Sequence, residues 1–182
     1  MKGASLSLTN NKNTRPLKDL VRESIFNLLI HSSKISFKFD QANILDLYAG
    51  TGSFGLECIS RDAKSVFFIE NEKDTIEILE KNIRKLKIKE KTKIFSKDVF
   101  KLFEKNITFH KKFDLIFCDP PFKFMNIRKL IELIFDNKCL DKNGIIILHR
   151  NKTTVDKFPE YFEAIEERKY GISKIIFGKF IS

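Results

Sequence analysis

The sequence predicts an α/β protein built on a mostly parallel β-sheet, and three observations support that prediction. From Asn43 onward, short apolar runs rich in β-branched and aromatic residues alternate with stretches of helical periodicity, which is typical of strand–helix–strand units. The first run leads directly into a glycine-rich loop at residues 49–55. Two β-rich runs, at residues 161–168 and 172–181, flank Gly171 and predict an antiparallel hairpin that completes the sheet.

The chain divides into an N-terminal extension, residues 1–40, and a main domain, residues 41–182. The extension contains one predicted helix, because Pro16 suits the first turn of a helix and apolar side chains then recur at helical spacing. One face of this helix is therefore expected to pack against the rest of the protein. The apolar side chains are Leu17, Val21, Ile25 and Leu28.

The main domain contains five predicted strands before the hairpin, with helices between them. The strands cover residues 43–48, 65–69, 92–96, 113–118 and 145–148. The first three helices cover residues 53–61, 73–86 and 99–104, and a fourth places Ile127, Leu130, Ile131 and Ile134 on its inner face. Helix 73–86 is predicted to bury Ile76, Leu79, Ile83 and Leu86.

The most informative motif is Asp119-Pro120-Pro121-Phe122, which directly follows the fourth strand. Proline cannot donate to a β-ladder, so the strand ends there and the turn is stiff. The turn presents a carboxylate, unpaired backbone carbonyls and an aromatic ring at the carboxyl edge of the sheet. That set suits the binding of a planar amine, with acceptors for its N–H groups and a ring on which it can stack.

The glycine-rich loop predicts a nucleotide-like ligand. Gly50, Gly52 and Gly55 match the pattern G-x-G-x-x-G, and glycine lets the backbone turn sharply and approach a ligand closely. Glu70 ends the second strand, where an acid typically binds ribose hydroxyls.

Two ribose-containing ligands fit this pattern, a nicotinamide dinucleotide and S-adenosylmethionine. Three features favour the second. Asp46, inside the first strand, could face a charged amino-acid moiety. Asp98, after the third strand, could accept from an adenine amino group. The turn at Asp119 has no role in hydride transfer. The cofactor contacts expected on this interpretation are Asp46, Tyr48, Ala49, Gly50, Thr51, Gly52, Phe54, Gly55, Glu70, Asn71, Asp98, Val99 and Asp119.

The chain resembles the RsmD family of small-subunit ribosomal RNA guanine-N2 methyltransferases. The resemblance lies in residues 46–57, 60–61, 66–70 and 119–122, and more specifically in residues 14–16 and 21–28. It implies a class I S-adenosylmethionine-dependent methyltransferase fold, Rossmann-like, with a seven-stranded sheet. The sequence departs from the family at the shortened segment before Thr14, at Leu17, and at His149-Arg150, where the family commonly has an acidic residue.

The resemblance also implies the reaction and the roles of residues. The methyl group of S-adenosylmethionine would pass to the N2 amine of a guanine in 16S rRNA, with Asp119, Pro120, Pro121 and Phe122 as the catalytic turn. Arg15, Arg22 and Phe122 are the expected substrate contacts. The expected partner is small-subunit rRNA within an assembled ribosomal particle, and the expected state is a monomer.

Composition adds limits on function. The chain has 182 residues, a net charge of +10 and seven basic residues between Arg84 and Lys97, which suits a polyanionic partner. Three cysteines without C-x-x-C spacing and three scattered histidines indicate no metal site and a reducing cytoplasm. No apolar stretch approaches the ~20 residues that span a bilayer, so we expect no membrane association.

Four alternatives stay open from the sequence. The main one is an adenine-N6 methyltransferase acting on DNA or RNA, which uses the same turn on another amine. A protein glutamine methyltransferase would carry Asn rather than Asp119. A nicotinamide-dependent oxidoreductase and an inactive RNA-binding module are the others, and cofactor binding would separate them from the methyltransferases.

Overall fold

The computed structural model describes residues 19–35, 37–104 and 109–181. The helices are α1 (Asp19–His31), α2 (Ser53–Ser60), α3 (Lys73–Leu86), α4 (Val99–Glu104) and α5 (Ile127–Asp136). The strands are β1 (Asn43–Leu47), β2 (Ser65–Glu70), β3 (Thr92–Ser96), β4 (Phe113–Cys118), β5 (Leu140–Asn151), β6 (Phe162–Tyr170) and β7 (Ser173–Phe180).

The strands form one seven-stranded sheet in the order β3-β2-β1-β4-β5-β7-β6. Strands β1 to β5 run parallel, whereas β7 is antiparallel to both β5 and β6. The predicted mostly parallel sheet with a C-terminal antiparallel hairpin is therefore confirmed. The turn of the hairpin is Gly171-Ile172, and Gly171 has a φ of +58°.

Helices cover both faces of the sheet, which explains why its central strands read as unbroken apolar runs. In β4, Leu115 and Phe117 join the core beneath α1, α2 and α3. Ile116 and Cys118 alternate with them and join the second core, beneath α4 and α5. Packing on both faces of the sheet thus fixes the position of the carboxyl end of β4.

Helix α1 packs into the first of these cores through Val21, Ile25, Phe26 and Leu29. Three aromatic rings connect it to the sheet: Phe26 stacks on Phe54 of α2 at 5.2 Å, and Phe54 stacks on Phe117 of β4 at 4.0 Å. Val21 and Ile25 lie on the predicted inner face, and Leu28 is partly buried. Pro16 and Leu17 lie outside the described residues.

Two elements differ from the sequence prediction. Strand β5 is much longer than residues 145–148, because Leu140 already pairs with Phe113. The register then shifts at an irregularity, and regular pairing resumes at Leu115 with Ile145. Asn143-Gly144, which lies before the predicted residues 145–148, is part of the strand. In α3, the buried face consists of Thr75, Leu79, Asn82 and Ile83, while Ile76 is only half-buried.

Candidate active site

The candidate site lies at the carboxyl edge of the sheet, where β1 ends between β2 and β4. The strand order reverses direction at this point, with β2 and β3 on one side of β1 and β4 and β5 on the other. Open α/β sheets bind ligands in the crevice that such a reversal creates. The glycine-rich loop follows β1, and the turn at Asp119 follows β4.

Three alternate residues at the start of the glycine-rich loop have a left-handed backbone conformation. Tyr48 has a φ of +60°, Gly50 of +57° and Gly52 of +85°, a region that non-glycine residues rarely adopt. A Cβ at Gly50 would meet no atom within 4 Å, whereas one at Gly52 would come within 2.4 Å of Leu79. Gly50 therefore borders open space, and Gly52 is held against α3.

Backbone hydrogen bonds hold this loop close to the strand ends. The Ala49 N–H donates to the Ile69 carbonyl at 3.0 Å, and the Gly52 N–H donates to the Ala49 carbonyl at 2.9 Å. The side-chain amide of Asn82 donates to the Thr51 carbonyl at 3.1 Å. Asn82 is fully buried, so α3 fixes the middle of the loop.

Gly55 lies behind the loop, where α2 crosses the sheet. A Cβ there would come within 2.4 Å of Phe68 and 2.7 Å of Val66. The Gly55 N–H donates to Asp46 Oδ2 at 3.0 Å. The third glycine of the pattern thus permits close contact between helix and strand, and Phe54 beside it is buried in the core.

Asp46 is a buried carboxylate with one unused oxygen. Its Oδ1 has no hydrogen-bond partner among the described residues. Burial raises the pKa of Asp46 well above its usual value; the Gly55 N–H opposes this shift, and the nearby charges of Asp119 and Glu70 add to it. A buried acceptor without a donor fits a ligand that brings one.

Glu70 is fixed by three backbone amides. Its Oε2 accepts from the Gly50 N–H at 2.8 Å, and its Oε1 accepts from the N–H groups of Asn71 at 2.8 Å and Glu72 at 3.0 Å. Because an ionised carboxylate offers about four acceptor positions, Glu70 can hold the loop and still accept from a ligand. Asn71 itself is exposed.

Asp98 caps the helix that follows β3. Its Oδ1 accepts from the Lys101 N–H at 3.0 Å, and Val99, the first residue of α4, is buried.

Three aromatic rings lie close together beside the loop. The centroid of the Phe124 ring lies 6.0 Å from that of Tyr48 and 5.7 Å from that of Phe100. Burial raises the pKa of Tyr48, and nearby acidic groups add to that shift.

The turn at Asp119 begins beside the end of β1. The Asp119 N–H donates to the Leu47 carbonyl at 3.3 Å, and the Phe124 N–H donates to the Pro121 carbonyl at 2.8 Å. No described residue donates to the Pro120 carbonyl. The turn therefore brings Asp119 next to the glycine-rich loop and leaves one of its carbonyls available.

A histidine on the neighbouring strand holds the carboxylate of Asp119. His149 Nδ1 lies 2.7 Å from Asp119 Oδ1, and His149 Nε2 lies 2.8 Å from Ser173 Oγ. The Phe122 ring meets the His149 ring edge-on, with centroids 5.4 Å apart and an interplanar angle of 81°. The histidine therefore contacts two of the four residues of the turn.

A buried ion pair supports the segment after the turn. Arg150, which is fully buried, contacts Asp156 at 2.9 Å and donates to the Phe124 carbonyl at 2.6 Å. Its Nη1 has no partner among the described residues. Arg150 therefore connects β5, the loop after it and the segment that follows Phe122.

Of the two expected substrate arginines, the structure describes only one. Arg22 donates to Asp19 at 2.7 Å on the surface of α1, and Arg15 lies outside the described residues. Among the described residues there is no group of three or more His, Cys, Asp or Glu side chains that could hold a metal ion. Within the same residues, no helix is long and apolar enough to cross a membrane.

The three cysteines are free and buried. Burial raises the pKa of Cys58 and Cys118 and that of Cys139 to about 12. Cys118, directly before the turn, is thus kept as a neutral thiol, which is a poor nucleophile.

Sequence reasoning missed His149, Ser173, Asn82 and the Arg150–Asp156 pair as parts of the site. The signal for His149 lies in the register: Cys118 pairs with Leu148 in the parallel β4–β5 ladder, so the next residues, Asp119 and His149, lie side by side. That register was not available from residue spacing alone.

Comparison with known proteins identifies relatives along nearly the whole chain. A family profile described as "Conserved hypothetical protein 95" matches residues 1–179. The ribosomal RNA small subunit methyltransferase D of Haemophilus influenzae is 33% identical over 172 residues, which cover 94% of this chain and 86% of that protein.

Solved structures share the fold. A putative methylase from Haemophilus influenzae aligns with a TM-score of 0.75 and 29% identity, over 90% of this chain and 98% of that one. A putative methyltransferase complexed with SAH aligns with a TM-score of 0.67 and 18% identity, over 86% of this chain and 48% of that one. The architecture is the class I methyltransferase fold, as predicted.

Proposed function

The chain belongs to the RsmD family, and from that premise we propose that it transfers a methyl group from S-adenosylmethionine to the N2 amine of a guanine in small-subunit (16S) rRNA. The observation that carries the proposal is the position of Asp119. One of its oxygens is bound to His149, the other has no partner among the described residues, and its backbone is joined to the end of β1 beside the glycine-rich loop.

The residues around the loop fit the cofactor. Asp46 offers a buried oxygen without a partner, Gly50 borders open space, and Glu70 is held in place by three amides. Asp46, Glu70 and Asp119 place three carboxylates near one another in a chain of net charge +10. A cationic ligand would favour the ionised forms of these three acids, including Asp46, so the cluster suits a cation.

Two acceptors in the turn suit an exocyclic amine. When bound, S-adenosylmethionine supplies a methyl group on a positively charged sulfonium. The free oxygen of Asp119 and the Pro120 carbonyl accept the two N–H groups of the amine, which turns its lone pair out of conjugation with the base. Orientation of this kind supplies much of the rate, and the Asp119 charge stabilises the positive charge that develops on nitrogen.

The Phe122 ring provides a face for the target base, and stacking of this kind contributes ~1–3 kcal/mol per base. A base inside a duplex cannot reach the turn, so the substrate presents it unpaired or flipped out. The basic residues from Arg84 to Lys97 are all exposed and lie along the end of α3 and the edge strand β3. They form a surface suited to the phosphate backbone.

We extend the proposal to the rest of the interaction. The substrate is rRNA within an assembled ribosomal particle, the enzyme acts as a monomer in the cytoplasm, and residues 1–40 contribute RNA and cofactor contacts to the catalytic domain of residues 41–182. Arg15 and Arg22 are the proposed contacts in that extension. Equal rates of methylation on free rRNA and on assembled subunits would contradict the requirement for a particle.

The decisive experiment measures transfer of labelled methyl to small ribosomal subunits that lack the modification, with the product nucleoside identified by mass spectrometry. We expect N2-methylguanosine, and a loss of roughly 10²- to 10³-fold in the Asp119→Ala variant, because a group that stabilises developing charge is removed. Asp114→Ala is the matched control, since Asp114 lies at the opposite end of the same strand and bonds to the Asn43 N–H.

Other products would redirect the assignment. N6-methyladenosine would move the function to the adenine-N6 alternative. The absence of transfer to RNA, with cofactor binding confirmed by calorimetry, would contradict the proposed substrate.

A further inference from the structure

We propose that His149 is a positioning residue for the reaction: it takes up one oxygen of Asp119, supports Phe122 with the same ring, and so presents both groups of the turn to the base. The proposal rests on the proposed function, because the amine is the group that Asp119 would meet. His149 and Ser173 are both buried, whereas the side chain of Asp119 is 21% exposed. The histidine thus supports the carboxylate from the protein interior.

The hydrogen-bond chain fixes the tautomer of the histidine. An ionised carboxylate only accepts hydrogen bonds, so the 2.7 Å contact between His149 Nδ1 and Asp119 Oδ1 requires the proton on Nδ1. In the neutral ring, Nε2 is then an acceptor, and the Ser173 hydroxyl, 2.8 Å away, donates to it. The carboxylate of Asp119 therefore sets the tautomer, and the Ser173 hydroxyl, which can donate or accept, satisfies the nitrogen on the far side of the ring.

This series of hydrogen bonds determines which oxygen of Asp119 is left for the substrate. Oδ1 is held by His149 and the Asp119 backbone is held by Leu47, so the plane of the carboxylate has little freedom to rotate. Oδ2 is left as the acceptor for the amine. A carboxylate that is held in this way does not have to be ordered when the base arrives.

The same ring also restrains the aromatic side of the turn. Phe122 meets His149 in an edge-to-face geometry at 5.4 Å, which is a favourable arrangement for aromatic pairs. A single side chain therefore touches both the acceptor and the stacking ring, and its loss would loosen the two together.

The two amide replacements of histidine separate positioning from simple filling of space. The side-chain nitrogen of Asn can occupy the place of Nδ1, whereas that of Gln reaches the place of Nε2. His149→Asn should keep the bond to Asp119 and lose the bond to Ser173, and His149→Gln should do the reverse. The third variant, His149→Ala, removes both.

We expect kcat for methyl transfer to fall by roughly 10- to 100-fold in His149→Ala and His149→Gln, because misplacement of a reacting group lowers the rate on this scale. His149→Asn keeps the bond to Asp119 but loses the ring beside Phe122, so its kcat should lie between those of the wild type and His149→Gln. Ser173→Ala should show a smaller loss than His149→Ala. Cofactor affinity, measured by calorimetry, should stay near wild type in all four variants. His31→Ala, at the end of α1, is the control for loss of a histidine elsewhere.

Equal activity of the Asn and Gln variants, or a Gln variant more active than the Asn variant, would overturn the proposal. An inactive wild-type protein would contradict the proposed function instead. Nitrogen-15 NMR of the histidine rings tests the inference without any activity: we expect the proton of His149 on Nδ1 in the wild type and a redistribution between the two nitrogens in Asp119→Ala. A wild-type ring that carries its proton on Nε2 would also overturn it.

Discussion

The two halves of the candidate site are held in place by different kinds of bond. The glycine-rich loop is held mainly through its backbone groups: the Gly50 N–H donates to Glu70, the Ala49 N–H to the Ile69 carbonyl and the Gly52 N–H to the Ala49 carbonyl. The turn at Asp119 is held mainly by side chains from β5, with His149 on the carboxylate and Arg150 on the segment that follows. The loop takes its partners from the end of β2, 20 positions away at Glu70, and from Asn82 of α3, whereas the turn takes its partners from β5, 30 positions away at His149.

The difference indicates how each half tolerates change. A backbone-held loop depends on where the chain can turn, so its sensitive positions are the glycines and Glu70, which accepts from the Gly50 amide. A turn held by side chains depends on a few buried polar contacts, and the loss of one partner leaves the other without compensation. Substitutions in the two halves should therefore differ in how they affect stability and ligand binding.

The largest effect is expected at the ion pair behind the turn. Arg150→Met should lower the free energy of unfolding by about 3–5 kcal/mol, because it leaves the buried Asp156 carboxylate without its partner. Chemical denaturation measures this loss. The double variant Arg150→Met with Asp156→Leu should recover much of it, and a double variant no more stable than the single one would show that the pair is not the cause.

On the backbone-held side, Glu70→Gln should weaken cofactor binding by roughly 10- to 100-fold. A glutamine has a single acceptor oxygen and would turn its NH₂ group toward an amide donor, and hydrogen bonds to a charged group contribute about 1.5–3 kcal/mol. Calorimetric titration with S-adenosylhomocysteine measures the change. Glu72→Gln is the control, since Glu72 is exposed; a comparable loss in that variant would contradict a specific role for Glu70.

Substitutions at two glycines separate the need for close packing, at Gly55, from the need for space beside a ligand, at Gly50. Gly55→Ala should lower the free energy of unfolding by about 1–3 kcal/mol, because the new methyl group meets Phe68 and Val66. Gly50→Ala meets no atom and should cost about 1–2 kcal/mol from its left-handed conformation alone, while weakening cofactor binding more than Gly55→Ala does. Thermal unfolding with and without ligand compares the two, and the reverse order in binding would contradict the open space assigned to Gly50.

The smallest effect concerns pH and Asp46. Because burial raises the pKa of this carboxyl group, the folded protein binds its proton more tightly than the unfolded chain does. As the pH rises above about 4, Asp46 ionises first in the unfolded chain, which lowers the free energy of unfolding. Asp46→Asn cannot ionise, so its stability relative to wild type should improve steadily from acidic to neutral pH. Denaturation at several pH values measures the trend, with Asp40→Asn, at an exposed position, as control; a difference independent of pH would contradict it.

The sequence was most informative where the signal is local. Helices α3 and α4 begin and end at the predicted residues, because their apolar periodicity and flanking polar residues agree. Strand β5 was predicted too short because its first residues join the ladder across an irregularity, which depends on the position of β4. Asn82 reads as part of the polar side of a helix, and only its contact with Thr51 reveals its role.

The candidate site follows the same division. The glycine-rich loop and Glu70 could be identified from spacing, since each lies at the end of a predicted strand. His149 could not, because its relation to Asp119 exists only in the register of β4 and β5 and in the position of Ser173 on β7. The roles of the individual site residues remain predictions for the experiments above.

The stack of Phe26, Phe54 and Phe117 has a consequence for the way in which the protein opens. The three rings belong to α1, α2 and β4, so α1 cannot detach without exposing an aromatic surface that also covers the strand leading to Asp119. Hydrogen exchange should then show the buried amides of α1 and of β4 becoming accessible in one cooperative event, as expected for a shared folding unit. On that view, the described helix of the extension unfolds and refolds together with β4, the strand that leads to Asp119.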